Sequence, residues 1–145
     1  MDNLKPKILT FVQYVSLIWL LAFNKWFSDN LFLLAFQVVG IIIGFWAIYE
    51  MSKSRLNITP TPLSGASLVR SGPYKLVRHP MYLSLILVFG PMLFYNFNLW
   101  GGIVFLVFFV NLILKMLYEE KLLMVFFDAY KTYSEKSWRL IPYVY

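Results

Sequence analysis

Four apolar runs separated by polar breaks divide the chain, at residues 8–23, 31–49, 80–95 and 99–118. Each predicts a transmembrane helix, the first somewhat short for a hydrocarbon core that takes about 20 residues. Gln37 alone interrupts the second run. Gly40 and Gly44 follow it four apart, a spacing that permits close helix approach and, less often, close approach of backbone to a ligand. Pro80 opens the third run at a position where a missing N–H costs nothing. The residue before it, His79, is pushed towards extended backbone, so it sits at a fixed break just outside the helix. Beyond residue 118 the pattern turns amphipathic. At about 100° per residue, Glu119, Leu122, Leu123, Phe126, Tyr130 and Tyr133 share one face, which predicts a helix over 119–135 lying at the headgroups. Glu119 falls near the centre of that apolar arc and Glu120 at its edge, so the two acids are expected to do different work. Up the fourth run, Asn111, Lys115 and Glu119 stack at intervals of one helical turn. Pro142 closes any helix after Trp138-Arg139-Leu140-Ile141.

The connectors differ sharply. Residues 24–30 and 96–98 are short turns with no net charge, Lys25 cancelling Asp29 in the first. Residues 50–79 form a long basic connector carrying Lys53, Arg55, Arg70, Lys75 and Arg78 against Glu50. Pro60, Pro62, Gly65, Gly72 and Pro73 exclude a continuous helix through it. Its apolar residues Leu63, Leu68, Val69, Tyr74, Leu76 and Val77 predict an ordered segment packed on the membrane face. With basic loops inside, four spans place both termini and this connector on the cytoplasmic side. No small-residue cleavage site follows the first run, so it reads as a retained span.

Composition agrees with lipid as the main solvent. Of the 145 residues, 60% are hydrophobic and 14% charged, against roughly 25% charged in a soluble domain. The fold class is an all-α, multi-pass integral membrane protein in a single domain over 1–145. The net charge of +6 is explained by cytoplasmic loops and not by a nucleic-acid surface, which would need a basic face outside the membrane. With no cysteine, one histidine and seven carboxylates, a multi-ligand metal centre is not expected.

Three clusters converge on the cytoplasmic end: Arg78-His79-Pro80-x-Tyr82, the pair Glu119 and Glu120, and Tyr130 with Tyr133. Arginine and histidine donate to carboxylate or phosphate. A buried glutamate accepts from a diol or an amine, and tyrosine faces attract a cation. The set suits a zwitterionic, cationic cofactor held at a membrane mouth; a histidine–carboxylate acid/base pair is the alternative chemistry. Each residue also has a plainer role available: Arg78 as a positive-inside anchor, Tyr130 and Tyr133 in an aromatic belt, Asn111 as an interhelical hydrogen bond, and Trp26, Trp100 and Trp138 as interface anchors.

The order Leu68-Val69-x-Ser71-Gly72-Pro73-Tyr74-x-Leu76-Val77-Arg78-His79-Pro80-Met81-Tyr82, a following span, then Glu-Lys-Leu-Leu, Phe126, Tyr130-x-x-Tyr133 and Arg139-Leu140-Ile141-Pro142 resembles the isoprenylcysteine carboxyl methyltransferase and phospholipid methyltransferase superfamily, its short bacterial-type members above all. The resemblance covers about residues 56–142. It implies a bacterial inner-membrane methyltransferase using S-adenosylmethionine, with the cofactor entering from the cytosol and a lipophilic or small acceptor (carboxylate, amine or thiol) from the bilayer. His79 and Tyr82 match the mouth of the cofactor pocket, Arg78 a position tied to activity, and Glu119 or Glu120 the acidic pair. The resemblance thus implies Arg78, His79 and Glu119 as catalytic and His79, Tyr82, Glu119, Glu120, Tyr130 and Tyr133 as cofactor-binding. Arg78 is expected to anchor a carboxylate and Glu119 a cofactor hydroxyl or amine. Tyr118 stands at one acid of the pair, Phe127 where glycine is common, and Ser84 where glycine is frequent. Two alternatives stay open: an NADPH-dependent sterol-type reductase, which lacks this Glu and paired-tyrosine ending, and a non-catalytic membrane scaffold or lipid-binding protein. Oligomeric state is not legible.

Overall fold

A computed structural model describes residues 4–54, 67–95 and 97–144. The described chain holds five α-helices: α1 (Leu4–Phe23), α2 (Leu31–Ser52), α3 (Pro80–Tyr95), α4 (Leu99–Phe126) and α5 (Ala129–Glu135). A short 3-10 turn at Gly72–Lys75 precedes α3. There is no strand among the described residues, only an isolated parallel bridge between Val77 and Trp138. Parts of two expected connectors, Arg55, Pro60, Pro62, Leu63 and Gly65 in one and residue 96 in the other, lie outside the described residues.

Helices α1, α2 and α4 are long and apolar enough to cross a membrane; α3, with 16 residues, is apolar but shorter. The difference has a physical counterpart in burial. α3 lies between α2 and α4, with Tyr82, Ser84, Phe89, Gly90, Pro91 and Met92 buried, whereas α1 and α2 leave Phe11, Ile18, Ile42 and Phe45 exposed. Such bare apolar faces are costly in water and neutral in lipid.

Two helix pairs build the bundle, α1 against α4 and α2 against α3, with a lighter α3–α4 seam. The first pair is fastened by polar side chains in an apolar setting. Asn111 Nδ2 donates to the Leu9 carbonyl at 2.9 Å, and Lys115 Nζ donates to Gln13 Oε1 at 2.8 Å. In the second, the interrupting Gln37 is wholly buried. Its Nε2 donates to the carbonyls of Trp26 and Val88, at 2.9 and 3.2 Å, and its Oε1 accepts from the Ser28 N–H. Gly40 and Gly44 do what their spacing permits. A Cβ on Gly40 would lie 2.8 Å from Leu87 Cβ and 3.0 Å from the Ser84 carbonyl, and one on Gly44 would lie 3.0 Å from Ser84 Oγ.

The fourth run and the start of the amphipathic 119–135 stretch form one helix, but that stretch is not helical throughout. α4 runs on to Phe126, and the chain breaks at Phe127, whose backbone is extended (φ −129°, ψ 107°). A straight helix would carry Tyr130 and Tyr133 on along the α4 axis. The break lets α5 turn back, so that both rings are buried. Burying two tyrosines outweighs the few helical hydrogen bonds lost at the bend. Two other boundaries shift by about a turn: α1 begins at Leu4, with Pro6 tolerated in its first turn, and α2 continues to Ser52; the ends at Phe23, Leu31, Pro80, Tyr95 and Leu99 fall where the apolar runs put them.

Gly40→Ala is expected to destabilise the α2–α3 pair by about 1–3 kcal/mol, the cost of overpacking. Gly90→Ala, whose new Cβ would find its nearest neighbour at 3.8 Å, is the tolerated control. Thermal unfolding of both variants in one detergent checks the contrast.

Candidate functional site

The candidate site residues meet at the end of the bundle where α2 stops, α3 starts and α4 emerges. The segment before α3 is pinned there from two sides. Ser71 Oγ donates to Glu50 Oε2 at the end of α2, and Lys53 Nζ holds the other oxygen at 2.9 Å. Gly72 has φ +57°, and a Cβ on it would lie 2.6 Å from Glu50 and 2.8 Å from Trp46, so this turn against α2 requires glycine. Pro73 then fixes the 3-10 turn that swings Tyr74 inwards, onto Ala47 and Val69. From the other side the C-terminal tail lies along the segment. Trp138 N–H donates to the Leu76 carbonyl at 3.0 Å, Arg78 N–H to Trp138 at 2.7 Å and His79 N–H to Arg139 at 3.1 Å. His79 therefore stands, as its place before Pro80 predicts, at a backbone break with a defined direction.

Glu120 is the electrostatic centre of this end. Its Oε1 accepts from Arg78 Nε at 2.7 Å and its Oε2 from Arg139 Nε at 3.0 Å. Arg78 also donates through Nη1 to the carbonyls of Ser134, at 2.7 Å, and of Ser137. The guanidinium expected to anchor a ligand carboxylate is thus committed to Glu120 and to the chain leaving α5. Both partners are almost buried, at 8% and 4% side-chain exposure, so each charge depends on the other.

Glu119 faces elsewhere. Its Oε1 accepts from Tyr82 Oη at 2.6 Å, and its Oε2 lies 3.9 Å from His79 Nδ1. The His79 and Tyr82 rings stack, with centroids 5.4 Å apart and planes 5° from parallel. These three side chains, with Arg78, Tyr130 and Tyr133, line one cavity of about 360 Å³ that reaches all five helices. Glu120 is not on its wall. The two acids, adjacent in sequence and about 100° apart on the helix, are divided between a structural pair and the cavity.

Three polar atoms buried beside the cavity lack a hydrogen-bond partner in the protein. Tyr74 Oη and Tyr130 Oη are buried without a hydrogen-bond partner, as is His79 Nε2, which stands 3.4 Å from Glu120 Oε1 but out of line for a hydrogen bond. Buried polar atoms in native structures are nearly always paired, so three of them around one cavity point to a polar ligand. Tyr133 differs: its hydroxyl donates to the Tyr74 carbonyl at 2.6 Å and fixes α5 onto the Tyr74 turn. Burial pushes the Tyr133 hydroxyl up to about 12, and raises those of Tyr74 and Tyr130 further above the ordinary 10.0, so all three rings are neutral donors at physiological pH. The cavity then runs inwards past Gly44, Ser84 and Leu85 to Lys115 and Gln13. It also runs sideways between α1 and α2, which hardly touch and contribute the exposed Tyr14 and Ile48.

Seven residues were expected at a site. Arg78, His79, Tyr82, Glu119, Tyr130 and Tyr133 share the cavity, and Glu120 supports it from behind. Sequence reasoning missed Tyr74 and Gln13 as wall residues. Tyr74 lay in plain view within the Gly72-Pro73-Tyr74 turn, as a ring that such a rigid turn must aim somewhere. Gln13 offered a signal too, as a lone amide within an apolar run. The Asn111–Lys115–Glu119 ladder divides: Asn111 bonds a neighbouring helix, while Lys115 and Glu119 line the cavity.

A helical membrane bundle whose polar end holds a cavity walled by tyrosines around a carboxylate and a histidine is the setting of a candidate ligand site. The phospholipid methyltransferase family profile matches residues 30–129, and the chain belongs to that family. Searches of curated proteins and of solved structures returned no significant match. The matched region takes in α2, the Tyr74 turn, α3 and α4 with both acids, so the family assignment covers most of the cavity wall.

Removing one partner of the Arg78–Glu120 pair is expected to cost about 3–5 kcal/mol, because the other charge is left buried. Arg78→Met and Glu120→Gln should each lower the unfolding midpoint in detergent, and the double variant by less than their sum. A second outcome follows from the tyrosines. Their raised folded-state pKa values favour the neutral form, so the stability they contribute is fully present below pH 10.0 and is lost as pH rises towards about 12. Unfolding midpoints measured from pH 9 to about 12 should fall, and more steeply than for the Tyr133→Phe variant.

Proposed function

We propose that the protein is an S-adenosylmethionine-dependent methyltransferase of the membrane, acting on a lipophilic acceptor that enters from the bilayer. The observation that supports this most is the set of unused polar atoms, on Tyr74, Tyr130 and His79, around one cavity that also holds Glu119. Membership of the phospholipid methyltransferase family over residues 30–129 supports the same reading.

The residues present fit the cofactor. S-adenosylmethionine supplies an electrophilic methyl group on a positively charged sulfur. Tyrosine faces attract such a charge, and Tyr74, Tyr82, Tyr130 and Tyr133 surround the cavity. Glu119, held by Tyr82 and close to His79, is the acceptor for a ribose hydroxyl or an amino group. The Tyr74 and Tyr130 hydroxyls and His79 Nε2 are donors for the carboxylate end. We assign Arg78 and Glu120 as positioning residues. Together they fix the tail that orients His79 through the backbone of Arg139.

Methyl transfer by in-line displacement needs little covalent help. What the protein contributes is alignment and exclusion of water. The 3-10 turn and α5 close over the polar end, and the apolar flank between α1 and α2 serves as the acceptor's way in. α3 is assigned as a fourth span, sheltered by its neighbours. The positive-inside rule supports a site on the cytoplasmic side, with both termini there too.

The full chain in detergent is expected to be stabilised by S-adenosylhomocysteine in a thermal-unfolding titration. His79→Ala and Glu119→Gln should each weaken that affinity about tenfold or more while the unliganded protein stays folded, as a lost hydrogen bond to a charged group does. Stabilisation by NADPH in place of S-adenosylhomocysteine would favour a reductase instead.

A further inference from the structure

Arg78 borders a second hollow besides the cavity. This cleft, of about 420 Å³, is formed by the end of α5 and the tail as far as Arg139, and Arg78 is the one residue it shares with the cavity wall. Arg78, Lys136 and Arg139 bring three cations to it against the Glu135 carboxylate. Glu120, paired with Arg78, balances one more of them, so the cleft stays net positive. A guanidinium carries five N–H donors. On Arg78 three are used, Nε on Glu120 and Nη1 on the carbonyls of Ser134 and Ser137. The Nη2 pair is left without an acceptor among the described residues, on a side chain only 8% exposed. By holding the Ser134 and Ser137 carbonyls, Arg78 also covers the acceptors at the end of α5 that would repel an anion.

The depth of the cleft and its surroundings narrow the kind of anion. Glu120, which takes Arg78 Nε at 2.7 Å, stands about 32 Å along α4 from Leu99. That is past a hydrocarbon slab of about 30 Å, at the level of lipid phosphates. Apolar side chains lie bare beside the cations. Trp138, on the cleft wall, is 39% exposed, and its ring centroid is 5.6 Å from that of the exposed Tyr143. Leu76, whose carbonyl accepts from the Trp138 N–H, is half exposed. Aromatic rings of this kind belong at the headgroup level. A cationic cleft with bare apolar side chains beside it suits a molecule that has both an anionic head and acyl chains. A free phosphate offers the same oxyanion but makes no use of the apolar neighbours.

We propose that the cleft between α5 and the tail binds the phosphate of an anionic phospholipid from the adjoining leaflet. The spare Nη2 donors of Arg78 suit phosphate oxygens. Lys136, exposed at the rim, supplies a second cation, and Trp138 and Leu76 meet the acyl chains. The lipid is a bound partner and not the methyl acceptor: its phosphate lies in the cleft and not in the cavity, and no bond is made or broken there. Its effect is on docking. An anion between Arg78, before α3, and Lys136, just after α5, fastens the roof of the cavity to the segment beneath it, alongside the Glu120 clasp. The site is independent of what the cavity takes.

The test uses the full chain in a neutral detergent, titrated with dioctanoylphosphatidylglycerol, dioctanoylphosphatidylcholine or inorganic phosphate and followed by thermal unfolding. Phosphatidylglycerol is expected to raise the unfolding midpoint, and the same rise should take at least about tenfold more of the zwitterionic lipid or of inorganic phosphate. Lys136→Gln should weaken the response to phosphatidylglycerol about tenfold, as loss of a charged hydrogen-bond partner does. Lys121→Gln removes the same charge from an exposed position on α4 that does not line the cleft, and should shift the response by less than about threefold. Equal losses in the two variants assign the effect to diffuse surface charge and overturn the proposal. No response to phosphatidylglycerol, or an equal response to phosphatidylcholine, overturns it too. Inorganic phosphate acting at the same concentration as the anionic lipid overturns the lipid as its source.

Discussion

A single carboxylate holds the polar end of this bundle together. Glu120 accepts from Arg78, before α3, and from Arg139, in the tail after α5. Two segments distant in sequence are thereby tied to α4. An almost buried carboxylate facing two guanidinium groups is stable only when all three are in place. The Arg78–Glu120 contact therefore acts as a geometric condition: tail, turn and helix dock together or not at all. The backbone bonds among Leu76, Arg78, His79, Trp138 and Arg139 use the docking to aim one imidazole. Burial of Tyr130 and Tyr133, and with it the cavity roof, depends on the same arrangement.

That condition explains why neighbouring acids carry different roles. A helix turns about 100° between successive residues, so Glu119 and Glu120 cannot serve one site with equal geometry. Glu120 meets two cations and leaves the cavity wall. Glu119 meets a phenol and an imidazole and stays on it. A carboxylate hydrogen-bonded by Tyr82 keeps lone pairs available, whereas one saturated by guanidinium groups does not. The protein separates a rigid salt link from a ligand-facing acceptor within a single peptide step.

Much of this was legible in the residues, for physical reasons. Apolar runs bounded by charged or proline-containing breaks can only be helices in a setting without water, so α1 to α4 follow from pattern. The place of His79 follows from steric exclusion by Pro80. Gly40 and Gly44 follow from the thickness of two helices in contact. Less legible was anything decided by docking. The bend at Phe127 carries no glycine or proline to announce it; it exists because Tyr130 and Tyr133 gain more by turning in. Arg78 looked available because its partner, Glu120, is far away in sequence. Tyr74 looked like packing because it is one of several apolar side chains in its connector. Periodicity reports which face is apolar, not what a buried side chain meets.

The length of α4 sets a depth. Its 28 residues make a rod of about 42 Å, against a hydrocarbon slab of about 30 Å. Measured from Leu99, Glu119 stands about 30 Å along that rod, where acyl chains give way to headgroups. Lys115 lies one turn, about 5 Å, inside that boundary. The cavity is thus not a hole in a soluble body but a notch cut across an interface, water-like at its roof and oil-like at its floor. A molecule anchored in the leaflet by its tail can offer its head to this notch by sliding laterally, without being lifted from the bilayer. On the function proposed, the protein works in two dimensions on one partner and in three on the other.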